Sequence, residues 1–212
     1  MAVFAFRVRG TNTPVATIGL VAVTVAVFLL QLVPGLGVTD ALLFAPIYAL
    51  GELQAQGVPY EPWRMVTDIF AHSAGGGTFF FLHILFNMYT LWIFGQVLET
   101  MLGRARFIAL YLLAGLGGSL LVFYWSFVDR STILTAVVGA SGAVFGLMAA
   151  YLVIQRHFGA DTRGMLVLVG INLVLGFFPG TNISWQAHVG GIIVGAVVGL
   201  IVTKTGRNSV RQ

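Results

Sequence analysis

Residues 139–156 read GASGAVFGLMAAYLVIQR, and residues 185–204 read WQAHVGGIIVGAVVGLIVTK. Each is an apolar run holding one residue able to do acyl-transfer chemistry, Ser141 in the first and His188 in the second. Each also repeats a small residue every four positions: Gly142, Gly146 and Ala150, then Ala187, Gly191, Gly195 and Gly199. Residues four apart share a helix face. Ridges of small residues let helices in lipid approach backbone to backbone. The two stretches therefore predict a close pair of membrane helices that brings a hydroxyl toward an imidazole, within an all-α polytopic membrane protein.

The composition agrees. Of 212 residues, 58% are apolar and 8% charged, with mean hydropathy +0.95. A soluble domain carries roughly a quarter charged residues. There is no cysteine, which removes disulfides, thiolate catalysis and thiolate metal sites. The net charge of +4 does not point to nucleic acid, because the basic residues sit in short loops between apolar runs. No cleavable signal peptide is evident: the first apolar stretch is too long for one.

A helix needs about 20 apolar residues to cross a bilayer. Six candidate spans follow: Pro14–Val33, Thr78–Leu98, Phe107–Phe127, Ile133–Ile154, Met165–Phe178 and Trp185–Val202. They divide the chain into a segment 1–13, a six-helix domain 14–203 and a tail 204–212. Arg7, Arg9, Arg104, Arg106, Arg156, Arg163, Lys204, Arg207 and Arg211 then share one side, against Arg64 and Arg130 on the other. Nine to two is a positive-inside signal that puts both termini in the cytoplasm. The outer loop, about 34–77, is long yet carries Leu42, Leu43, Phe44, Trp63 and Phe70. Two readings of it stand: a partly embedded loop anchored by Trp63, or a folded cap without membrane contact.

Polar groups inside a span are functional candidates by default. Ser141 lies 15 residues before Arg156, His188 lies 16 before Lys204, and Asn87 lies 17 before Arg104. At about 1.5 Å per residue these are depths of about 22, 24 and 25 Å. Three helices thus place polar side chains at one level, below the outer face of a core about 30 Å thick. His83 is one turn from Asn87 on the same face.

A serine hydroxyl becomes a nucleophile when a base takes its proton, and histidine serves near neutral pH. No carboxylate shares the level, so the pair is a dyad. Ser141 reads as the first residue of its helix, where its backbone N–H and that of Gly142 are free to bind an oxyanion. Asn87 and His83 add donors from the second span. Phe145, one turn after Ser141, is placed to pack on the imidazole. No metal and no cofactor is expected, since the histidines lie at different depths without a carboxylate among them. His72 reads as a structural hydrogen bonder, His157 as a solvated residue, and Asn172 and Gln186 as interhelical or cavity-lining groups. Glu99 reads as a brace at the cytoplasmic end, with Arg104 or Arg106.

Taken in order, these residues resemble the rhomboid intramembrane serine proteases in their six-helix bacterial form. Gly139-Ala140-Ser141-Gly142 resembles the family's nucleophile motif. Ala187-His188 with Gly191 and Gly195 resembles its base-bearing last helix. His83-Ile84-Leu85-Phe86-Asn87 resembles its HxxxN segment, and Trp63-Arg64 resembles the pair in its first external loop. The resemblance runs from about residue 40 to 203. It implies a rhomboid-like bundle in the cell membrane that cleaves single-span proteins near the outer face, at small residues and helix breakers. Two departures stand out: Phe145 where the family often has Tyr, and the Gly75-Gly76-Gly77 run before span two. Two rival functions remain at this point: a catalytically inactive relative that binds and escorts membrane proteins, and a small channel or transporter.

Overall fold

The computed structural model describes residues 13–74, 80–175 and 183–208. The Gly75-Gly76-Gly77 run and the expected end of span five lie outside them, as does the side chain of Asn172. Among the described residues eight α-helices form: α1 (Val15–Gln31), α2 (Val38–Leu42), α3 (Arg64–Thr67), α4 (Phe80–Leu102), α5 (Arg104–Val128), α6 (Ser141–His157), α7 (Arg163–Leu175) and α8 (Trp185–Asn208). Short 3-10 turns occupy Pro46–Ala49, Gly51–Gln56 and Arg130–Leu134. No β-strand forms among the described residues.

Among the described residues, three helical stretches are long and apolar enough to cross a membrane: Phe81–Leu102, Arg104–Val128 and Trp185–Thr205. Helix α1 is apolar and has 17 residues. Helices α6 and α7, with 17 and 13 described residues, are shorter than the roughly 20 of a simple span. The reversal between α4 and α5 turns on Gly103, whose φ of 82° lies in the left-handed region that favours glycine.

One expected span is corrected. Ile133–Ile154 is not a continuous helix, because α6 begins at Ser141. After the 3-10 turn at Arg130–Leu134 the chain is extended, and Val137 forms an antiparallel bridge with Phe44. The Phe44 N–H donates to the Val137 carbonyl at 3.1 Å, and the Val137 N–H donates back at 2.7 Å. The apolar side chains of 133–138 mimic a span, but Ile133 and Leu134 lie in the 3-10 turn and Val137 is paired with Phe44, just after α2.

Helices α5, α6 and α8 pack most closely, and the buried apolar side chains come mainly from α4, α5 and α6. A Cβ on Gly191 would lie 1.9 Å from the Gly142 carbonyl oxygen, and one on Gly195 would lie 2.0 Å from that of Gly146. The predicted ridges therefore meet. A third ridge joins them: a Cβ on Gly118 would lie 2.7 Å from the Ala187 oxygen, and one on Gly190 would lie 2.2 Å from the Gly117 oxygen.

The segment between α1 and α4 is folded onto this core. Phe44 and Ala71 are fully buried, and Ile69 nearly so, while Trp63 is 57% exposed. Arg64 holds the segment together by pairing with Glu61, donating to the Asp40 and Leu43 carbonyls and stacking on Tyr48.

At the opposite end, Glu99 does more than the expected brace. Its carboxylate accepts the backbone N–H groups of Ala16 (3.0 Å) and Thr17 (2.8 Å) and the Thr17 hydroxyl (2.8 Å). Pro14, at the N-cap of α1, offers no capping side chain. Glu99 from α4 supplies the acceptor that the first turn of α1 lacks. Arg104 approaches the same carboxylate at 3.8 Å.

Candidate active site

The site forms where α6 begins. Gly139 adopts φ 131°, a conformation L side chains rarely take, and a Cβ there would lie 2.9 Å from Cε1 and 3.0 Å from Nε2 of His83. Glycine is thus required twice, by the turn and by the imidazole against it. Ala140 provides no side-chain cap for α6, whose first N–H groups have no acceptor within the helix. Ser141 and Gly142 bear the first of them, at the positive end of the helix dipole.

The glycine seam sets what faces this turn. With Gly191 on Gly142, and the Ala187 carbonyl 3.1 Å from a Gly142 Cβ, His188 comes to the first turn of α6. Its ring stacks on Phe145 with centroids 4.1 Å apart and planes inclined by 19°. His188 is 5% exposed, and its Nδ1 is buried with no hydrogen-bond partner among the described residues. Among those residues no hydrogen bond joins Ser141 to His188. Catalytic hydrogen bonds are often long without substrate and tighten in the complex.

On the other flank stands α4. His83 packs on Gly139, and Asn87 is 6% exposed with its amide donating to the His83 carbonyl at 2.8 Å. Gln186, with Ser184, lines a groove of about 240 Å³ beside the site, whose other walls include Val122, Thr132, Thr135 and Ile183.

Sequence reasoning missed the support beneath the turn. It comes from the segment 64–72, outside the long apolar helices. The Asp68 carbonyl accepts the Gly139 N–H at 2.9 Å, and its carboxyl accepts the Ser119 hydroxyl of α5 at 2.8 Å. The other carboxyl oxygen is buried without a partner among the described residues. Burial pushes the Asp68 pKa up to about 8, against the opposing pull of the Ser119 hydrogen bond. His72, fully buried, accepts the Ala140 N–H at 3.5 Å, and its ring lies 5.1 Å from that of His83. Burial, and next the charge of His83, lower its pKa to about 3. Gln31 of α1 fixes His72 further, donating to its carbonyl at 2.8 Å and accepting its N–H at 2.9 Å. The structural role expected of His72 is what these contacts describe.

Comparison with known proteins adds an independent line. Residues 59–205 match the Rhomboid domain family. The chain is 33% identical over 186 residues to rhomboid protease GluP of Bacillus subtilis (strain 168), covering 86% of this chain and 34% of that protein. It is 36% identical over 149 residues to RHOMBOID-like protein 5 of Arabidopsis thaliana, covering 67% of this chain and 44% of that protein. Rhomboid protease AarA of Providencia stuartii is 28% identical over 162 residues, 65% of this chain and 55% of that protein. The chain thus spans about a third of GluP and about half of AarA. The family match takes in α3 to α8, with the Gly139–Gly142 turn and the His188 helix inside it, and together with the apolar helices it makes this multi-pass membrane protein a member of the rhomboid family.

Proposed function

We propose that this chain is an intramembrane serine endopeptidase that cleaves a transmembrane segment near the outer membrane face, with Ser141 as nucleophile and His188 as general base. The observation that carries the reading is the stack of Phe145 on His188. Phe145 is one turn from Ser141, so the imidazole is held against the turn that bears the hydroxyl. The names of GluP and AarA as rhomboid proteases point the same way.

In this mechanism His188 takes the Ser141 proton as Oγ attacks the scissile carbonyl carbon. The carbonyl π electrons move to oxygen, and that oxyanion binds the Ser141 and Gly142 N–H groups with Asn87 and His83 as side-chain donors. The tetrahedral adduct collapses, the C–N bond breaks, and His188 returns its proton to the amine. Water then attacks the acyl-enzyme while His188 takes its proton, and the ester bond to Ser141 breaks as His188 returns that proton to Oγ, releasing the acid. The groove beside Ser184 and Gln186 is the route by which water reaches the ester. No carboxylate orients His188, whose Nδ1 lacks a partner among the described residues, so the machinery is a dyad held by stacking.

The reading includes six spans, α1 and α4 to α8, with both termini on the cytoplasmic side of a bacterial inner membrane. The nine-to-two division of basic residues supports this. Exposed Trp63 anchors the external segment in the outer interface. The test uses the purified chain and a labelled single-span substrate. Wild type cuts it, and Ser141→Ala and His188→Ala each lose about a thousandfold or more in rate. Unchanged cleavage by Ser141→Ala overturns the assignment.

A further inference from the structure

Helices α6 and α8 are joined by small residues along most of their length and then part. Gly191, Gly195 and Gly199 lie on Gly142, Gly146 and Ala150 in turn. Four residues on, the ridge reaches Thr203, which is larger and turns its hydroxyl to the Leu200 carbonyl at 2.9 Å. Here a groove of about 280 Å³ opens between the helix ends, lined by Leu152, Val153, Arg156, His157, Leu200 and Thr203.

The groove has two chemistries. Its walls, Leu152, Val153 and Leu200, are apolar, and Leu200 is half-exposed toward the surroundings of the bundle. Its mouth carries Arg156 and His157, in the last turn of α6, with exposed Lys204 beside Thr203. The ion pairs among the described residues, Arg64 with Glu61 and Arg104 with Glu99, leave Arg156 unpaired. Asp161, the carboxylate in the following turn, accepts the Arg163 backbone N–H at 3.0 Å. A cation at a helix C-terminus is ordinary, since it complements the dipole. A cation over an apolar groove, at the end of two helices of a membrane protein, asks for a ligand with both characters.

We propose that this groove binds one anionic phospholipid, with an acyl chain along Leu152, Val153 and Leu200 and the phosphate on Arg156, flanked by His157 and Lys204. Basic pockets between helices at the cytoplasmic surface suit such head groups, and a guanidinium matches phosphate geometry. A soluble anion has no use for the apolar walls. The proposal rests on membrane residence and on the orientation proposed above, and is independent of the protease chemistry.

The test counts lipids bound to the purified full chain by native mass spectrometry, with phosphatidylglycerol and phosphatidylcholine of identical chains. Wild type is expected to take up one phosphatidylglycerol at about a tenfold lower concentration than phosphatidylcholine. Arg156→Gln brings the two within about threefold, whereas Arg106→Gln, an equal loss of charge elsewhere, keeps the preference. Leu200→Trp, which fills the groove, weakens uptake of both. Equal uptake of the two lipids by wild type overturns the proposal without any variant. So does a folded Leu200→Trp that takes up both lipids as readily as wild type, or a dimer that buries the groove and takes up no lipid.

Discussion

The ring of Phe145 lies nearly flat on that of His188, 4.1 Å between centroids. The imidazole Nδ1 has no hydrogen-bond partner among the described residues, so no hydrogen bond at that atom orients the ring. Stacking of this kind contributes about 0.5–1.5 kcal/mol beyond area burial.

Phe145→Leu keeps an apolar side chain and removes the stack, so cleavage is expected to fall by about 2- to 12-fold, the kinetic equivalent of that energy. Phe145→Tyr, which keeps the ring, retains a rate close to wild type. Initial rates with one labelled substrate check both. A Leu variant as fast as wild type would remove stacking from the account.

Gly191→Ala drives a methyl group into the Gly142 carbonyl, where a Cβ has 1.9 Å. The helices must separate, and a loss of about 1–3 kcal/mol is expected, the usual cost of overpacking. Activity falls with it because His188 rides on the same turn of α8. Gly164→Ala meets nothing within 4 Å and serves as the control. Thermal unfolding in detergent should separate the two by several degrees.

Glu99→Gln replaces an acceptor of three hydrogen bonds with an amide that must turn a donor toward them. The expected loss is about 1–3 kcal/mol, read as a lower unfolding midpoint. Arg104→Gln, whose side chain is 62% exposed, costs at most about 0.5 kcal/mol. Equal effects of the two would show that the ion pair, and not the capping of α1, is what Glu99 provides.

Asp68 and His72 give the fold opposing pH dependences. The Asp68 carboxyl, raised from 3.8 to about 8, favours the folded state when neutral. Its contribution is complete below about pH 4 and is lost as pH rises toward 8. His72, lowered from 6.5 to about 3, contributes fully above about pH 6.5, and that is lost as pH falls through 3. Between 3.8 and 6.5 the two slopes cancel. Asp68→Asn removes one of them. Relative to that variant, wild type should lose up to about 1.4 kcal/mol per pH unit between pH 4 and 8. Unfolding midpoints of both proteins at pH 4.5, 6 and 7.5 test this, and a difference that stays constant with pH would sink it.

Much of this arrangement is legible in local sequence. The four-residue spacing of Gly142 and Gly146 against Gly191 and Gly195 announces the α6–α8 seam, and Phe145 at one turn from Ser141 announces the stack. The third ridge, Gly117 and Gly118 on α5, lacks the four-residue spacing and is not announced in this way. What is hidden depends on partners far apart in the chain. Residues 133–138 prolong the apolar run through Ile133, Leu134, Val137 and Val138, and their fold is set by a distant partner, the pairing of Val137 with Phe44. Asp68 beneath Gly139 and Glu99 on Ala16 are backbone-directed contacts, and no periodicity encodes them.

The seam of α6 and α8 has a mechanical consequence. Where Gly191 meets Gly142 and Gly195 meets Gly146, its contacts are carbonyl against α-carbon, with no side chain at those points to change rotamer and yield. The two helices therefore behave as one welded beam, unable to slide or scissor without breaking several such contacts together. On the function proposed above, a membrane-embedded polypeptide would have to enter by another face, such as the one bordered by α7, whose Leu166, Val167, Ile171 and Val174 are exposed.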